Sequence, residues 1–164
     1  MNMVKCSSCG ANVSCHDQVC SHCGTANPDY RALDNEVNTL LEKGRNAFKN
    51  EQHAAAIESY YQAIALNPDV FDAYFYLAAS LTALGRRKEA IQAMQKAQAI
   101  RPGNTAIYVN LGLLCKQEGQ KAEARKYLEK ALKMIDSDSA MQNRDQLRQH
   151  IKKELGDLKR WGLF

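Results

Sequence analysis

Two short runs near the front of the chain, Cys6-Ser-Ser-Cys9-Gly10 and Cys20-Ser-His-Cys23-Gly24, are copies of one chemical device separated by ten residues. Two residues between thiols let both sulfurs of a knuckle reach one ion, and a glycine just after the second cysteine takes the positive φ that turns amides toward the sulfurs. Together the knuckles offer four thiolates, Cys6, Cys9, Cys20 and Cys23, which is the donor set of one zinc ion in a closed tetrahedral shell. A closed shell leaves no position for water or substrate, so the role expected of the ion is structural. The competing use of such pairs, cycling between dithiol and disulfide, calls for a single Cys-x-x-Cys beside a βαβ pattern, and no such pattern follows.

Cys15 lies midway between the knuckles without a partner at ligand spacing and is expected to be a bystander. His16 and His22 are expected at the surface, because four thiolates already complete the shell. The opening residues MNMVKCSS lack the apolar core of a leader. The longest nearly uncharged stretch, Ala73 to Leu84, is well short of the roughly 20 residues that cross a bilayer. A cytoplasmic location is therefore expected, where thiols stay reduced and available to metal.

Residues 4–26 resemble the short zinc ribbons common at the ends of bacterial proteins, and the resemblance implies a small β-hairpin-like fold around the metal. Ribbons of this sort also bind nucleic acid, so a zinc-dependent nucleic-acid-binding or regulatory protein is the alternative reading. Charge argues against it. The net charge of +4 divides into −1 over residues 1–34, +3 over 35–137 and +2 over 138–164. A cysteine segment in which Lys5 and Arg31 are outnumbered by Asp17, Asp29 and Asp34 has little to place against phosphates.

The elements that must position any site come from the rest of the chain, where 45% apolar and 24% charged residues give an ordinary globular balance. A period of 34 residues runs through it. Ala56-Ile57-Glu58, Ala90-Ile91-Gln92 and Ala124-Arg125-Lys126 align at that step, as do Pro68 and Pro102, with Asp136 where a third proline would fall. Gly44, Ala78 and Gly112 recur with it, and so do Tyr60, Met94 and Leu128, and Ala63, Ala97 and Ala131. Small residues facing large ones at helical spacing let two antiparallel helices approach closely.

This pattern over 37–138 resembles the tetratricopeptide repeat. Each unit is then a helix pair: 37–50 with 53–66, 71–84 with 87–100, and 105–118 with 121–134. Gly85 and Gly119 mark the turns of the second and third pairs, and Glu51 stands at that place in the first. Asn27-Pro28 is a plausible helix start, and Tyr30, Leu33, Val37, Leu40 and Leu41 keep helical spacing from there into the first repeat. Beyond Asp136-Ser137-Asp138-Ser139, the spacing of Leu147, Ile151, Leu155 and Leu158 predicts a further helix over about 139–159. The expected fold is an all-α, three-repeat helical solenoid behind a small β ribbon. Its divisions are a ribbon at 1–27, a helical connector at 28–36, repeats at 37–70, 71–104 and 105–138, and a capping helix with an aromatic tail at 139–164.

A repeat array carries no chemistry of its own, so function is argued from surfaces. In the family that this chain resembles, the first helix of each unit lines a concave groove. That alignment gives Asn38, Leu41, Arg45, Phe48 and Lys49, then Asp72, Phe75, Ala79 and Thr82, then Ala106, Val109, Asn110, Leu113, Lys116 and Gln117. Its apolar centre and basic flanks suit a peptide or protein segment with apolar anchors and some acidic residues. One subgroup of the family binds acidic chaperone tails through basic and amide side chains. The matching places here hold Leu41, Arg45, Tyr76, Ala106 and Asn110, and only Arg45 keeps the charge, so that mode is disfavoured.

Elsewhere, Arg86-Arg87-Lys88 is expected to be a solvated turn, and Cys115 a small core hydrophobe. Trp161-Gly162-Leu163-Phe164 is expected to fold back on the last helix, with self-association through this tail as the other use. His53 and His150 have no evident catalytic partners, and no phosphate-cradling glycine loop or nucleophile elbow occurs. The sequence therefore predicts a non-enzymatic interaction adaptor.

Overall fold

The computed structural model describes residues 3–14, 19–20, 22–26, 28–137 and 143–160. They form two strands and seven helices. Strands β1 (Met3–Lys5) and β2 (Asn12–Ser14) pair antiparallel with Val4 opposite Val13, and Val19 bridges Ala26. Helices follow at α1 (Pro28–Lys49), α2 (His53–Leu66), α3 (Phe71–Ala83), α4 (Arg87–Ile100), α5 (Thr105–Gln117), α6 (Lys121–Ser137) and α7 (Arg144–Arg160). The chain divides into two compact units, Met1–Val70 and Phe71–Phe164. The first holds the hairpin and the pair α1–α2; the second holds α3–α4, α5–α6 and α7.

Three-residue turns close all three pairs, and one backbone geometry serves each. The amides of Gln52, Arg86 and Gln120 donate to the carbonyls of Ala47, Leu81 and Cys115 at 2.9, 2.9 and 2.8 Å. That is a Schellman cap, whose preceding residue must be left-handed. Gly85 and Gly119 take φ of 73° and 77°; Glu51 is forced to 59° with a side chain attached.

Alanines at the 34-residue step let the helices of a pair touch. Ala56, Ala63, Ala90, Ala97, Ala124 and Ala131 are all fully buried. Gly44 and Gly112 carry the idea further. A Cβ on Gly44 would stand 2.5 Å from the Tyr60 ring, and one on Gly112 would stand 2.6 Å from Leu128 Cγ.

Proline ends the second helix of two pairs and not of the third. Helices α2 and α4 stop two residues before Pro68 and Pro102, where a missing N–H and a steric clash forbid continuation. Asp136 brings neither constraint. As a result α6 runs to Ser137, beyond the end at 134 that strict repetition predicts. Helix α7 starts at Arg144, later than the predicted 139, and residues 138–142 lie outside the described set. It buries Ile151 fully and Leu158 almost so. The predictions concerning Cys15, His16, Asn27 and Trp161–Phe164 fall on residues outside the described set. No helix among the described residues is long and apolar enough to cross a membrane.

Candidate functional site

The two knuckles are built alike. In the first, Cys6 N–H donates to Ala11 O at 2.9 Å and Gly10 N–H to Cys6 O at 2.9 Å; in the second, Cys20 N–H donates to Thr25 O at 2.8 Å and Gly24 N–H to Cys20 O at 2.8 Å. Gly10 and Gly24, at φ of 71° and 72°, make both reversals. The turns bring together four sulfurs that the sequence separates by up to 17 residues: Cys6 Sγ lies 3.6 Å from Cys23 Sγ, and Cys9 Sγ 3.8 Å from Cys20 Sγ. All four fall within 4.8 Å of one another.

These distances test the fit to a metal. Four sulfurs at about 2.3 Å from a central zinc sit about 3.8 Å apart in a tetrahedron. The 3.6 and 3.8 Å pairs match that edge and the other separations stay within 4.8 Å, so the four sulfurs are compatible with one metal site, and all lie far beyond the S–S bond of a disulfide, about 2.0 Å. The thiols also titrate unevenly. The Thr25 hydroxyl, 3.2 Å from Cys23 Sγ, and the Thr25 amide lower Cys23 to about 6. Cys9 is pushed up to about 12: the Ala11 amide favours its thiolate, but the sulfur of Cys23, desolvation and the sulfurs of Cys20 and Cys6 outweigh it. Thiolates this close oppose one another's charge until a cation arrives. Cys20 is buried while Cys9, Cys23 and the neighbouring His22 are exposed.

In the second unit a cavity of about 270 Å³ opens beside α3 and α5. Phe75 and Ala79 from α3 and Leu113 and Leu114 from α5 line it, with Met94 of α4; Thr82, Asn110 and Gln117 supply polar atoms and no charge. Phe75 is held in an aromatic run, its ring 5.7 Å from those of both Phe71 and Tyr76. Arg101 caps the run, 4.4 Å above the Phe71 ring.

Other residues that the alignment assigned to the groove lie differently. Leu41 and Val109 are buried among the helices. Lys116 turns to α7, where its ammonium donates to Glu154 at 2.7 Å and to Asp157 at 3.4 Å. In the first unit Arg45 and Phe48 are half-buried, Phe48 against His53, and Lys49 is exposed. Met94 and Leu114 were missed by sequence reasoning because their spacing marks them as core, and they are; each shows only an edge to the cavity.

Paired helices repeated at a fixed step define a helical-repeat protein, and the comparisons with known proteins agree. Two family models of the tetratricopeptide repeat match residues 41–105 and 81–144. The chain belongs to the tetratricopeptide-repeat family.

DnaJ homolog subfamily C member 3 of Mus musculus is 29% identical over 103 residues, which are 63% of this chain and 20% of that protein. The chain thus spans about a fifth of the length of the curated relatives it matches. Among solved structures, the type III secretion translocator chaperone SycD of Yersinia enterocolitica superposes with a TM-score of 0.74 at 16% identity, covering 86% of this chain and 98% of that one. The first TPR of Spaghetti (RPAP3), bound to the HSP90 peptide SRMEEVD, gives 0.65 at 20% identity, covering 77% and 92%. At these identities the likeness concerns the fold.

Proposed function

We propose that the chain is a non-enzymatic adaptor: the cavity of the second unit holds a segment of a partner polypeptide, and the four thiolates hold one structural zinc ion. The observation that carries the first part is the apolar floor of Phe75, Ala79, Met94, Leu113 and Leu114 under an uncharged polar rim. At about 270 Å³ the cavity is just below the usual range for small-molecule sites, about 300–1,000 Å³, and it suits one or two apolar side chains. Asn110, Gln117 and Thr82 stand where they can hydrogen-bond the backbone of such a segment.

Because Lys116 is engaged by Glu154 and Asp157, this cavity offers no free ammonium to a carboxylate. The favoured ligand therefore has apolar anchors, with selection by shape. Similar repeat folds solved with a translocator peptide and with an HSP90 peptide support reading the unit as a peptide receptor. Zinc, when bound, supplies cross-linking and no reaction, since four sulfurs fill its shell.

The test is capture of partners from lysate by the intact chain, with each captured protein identified, alongside Phe75→Asp and Leu113→Asp variants whose helical circular dichroism is preserved. The expected result is loss of the same proteins from both variants. Capture unchanged by either substitution overturns the groove reading.

A further inference from the structure

A second cavity, of about 470 Å³, shares no residue with the first. Gln98 of α4, Tyr108 of α5, and Lys126, Tyr127, Lys130 and Lys133 of α6 line it. The three lysines fall at i, i+4 and i+7 on α6, one face of a helix, and span about 10 Å along its axis. All three are exposed, and none forms an ion pair with a described residue. The one acid in the lining, Glu129, is held by Arg125 at 2.8 Å. Tyr108 is fixed by its hydroxyl, which donates to Pro102 O at 2.9 Å, and its ring lies 6.5 Å from that of Tyr127.

The 34-residue period is an internal control. What the fold requires recurs at every step, as Ala56, Ala90 and Ala124 do. The positions of Lys126, Lys130 and Lys133 hold Gln92, Lys96 and Ala99 one step back, and Glu58, Gln62 and Ala65 two steps back. Tyr127 has Ala93 and Ser59 at its places. Neither three lysines nor the tyrosine is needed to build a helix pair, so the cluster belongs to the third repeat alone.

We propose that this face is a docking surface for an acidic segment of a partner protein, whose carboxylates meet Lys126, Lys130 and Lys133 while an apolar or aromatic side chain packs on Tyr127. Charge complementarity fixes the sign of the occupant. Its class follows from the number and kind of cations. Nucleic-acid binding of useful strength draws on about 6–10 phosphate contacts, at least twice what the three lysines of this face supply. The lining has no arginine for bidentate phosphate recognition. Three carboxylates flanking an aromatic ring match what is present.

The probe is a fluorescein-labelled ten-residue peptide of glutamates around a central phenylalanine, measured by anisotropy against the full chain. Controls are the same peptide with glutamine for glutamate and a single-stranded DNA twelve-mer. Saturable binding of the acidic peptide is expected, about tenfold weaker in K126Q/K130Q/K133Q, the modest loss that three exposed ion pairs allow. An equal loss of charge at R87Q/K88Q/K152Q should leave affinity unchanged. Tyr127→Ala should weaken the phenylalanine peptide and not an alanine version. No saturable binding, equal losses in both lysine-rich variants, or tighter binding of the DNA than of the peptide would each overturn the proposal.

Discussion

Gly44 and Tyr60 share one volume: the ring of Tyr60 fills the space that a side chain at position 44 would need, with Cε1 2.5 Å from the site of a Cβ. Gly44→Ala is therefore expected to destabilise the first pair even though alanine favours a helix by about 1 kcal/mol. Forcing the ring or the helix aside costs about 1–3 kcal/mol, and the net loss should reach up to about 2 kcal/mol in urea denaturation. The second repeat solves the same contact with Ala78 and Met94, both buried. Adding Tyr60→Met to Gly44→Ala should restore part of the loss, and a double-mutant cycle with no coupling would contradict the steric account.

Glu51 occupies the left-handed position that Gly85 and Gly119 hold in the other two turns. Replacing it by glycine relieves a penalty of about 1–2 kcal/mol and adds some freedom to the unfolded chain. A gain of about 0.5–1 kcal/mol is expected, read as a higher thermal midpoint. A lower midpoint for Glu51→Gly would show that the carboxylate has a partner worth more than the strain.

For the front hairpin, one zinc per chain is expected by metal analysis of reduced protein. Cys9→Ser or Cys20→Ser should lose it and unfold residues 4–26 while helical circular dichroism stays nearly whole, since the helices bury their own core. A content below about a third of an ion per chain would reject a structural zinc.

Lys116 fastens α5 to α7. Hydrogen bonding to Glu154 raises its pKa above the ordinary 10.5; desolvation opposes the shift, and the charge of Glu154 and contacts with Asp157 reinforce it. A folded-state pKa above the unfolded one means the contribution is complete below pH 10.5 and fades as pH rises through the folded value. Lys116→Met should cost about 1 kcal/mol after allowing for solvent screening of a partly exposed pair. It should also speed amide exchange in α7 more than in α3. Equal exchange in both helices would place the bridge outside the docking of α7.

The helix pairs were legible because a 34-residue period fixes spacing, turn and core at once. Pro68 and Pro102 even mark the ends of α2 and α4 to within two residues. The end of α6 was misplaced because the period was extended through Asp136, which lacks the constraint that proline imposes. The knuckles were legible as far as the convergence of their sulfurs, since Cys-x-x-Cys-Gly is a local geometry that needs little tertiary help. Groove residues were less so. Lys116 meets acids 38 and 41 residues away, a partnership no repeat pattern encodes. Leu41 and Val109 differ from truly exposed leucines and valines only by a rotation that depends on neighbouring helices. The lysine face of α6 escaped notice because charged residues on a helix surface are usually solvated and carry no signal until a cavity is seen between them.

The three-residue turns also bear on how quickly the chain assembles. Each helix finds its mate across a minimal connection, so little conformational search precedes the first lasting contacts. Chains dominated by neighbours in sequence complete this step in microseconds to milliseconds. During synthesis, the interval in which side chains such as Leu111 and Leu128 stand bare outside the ribosome ends once α6 has emerged.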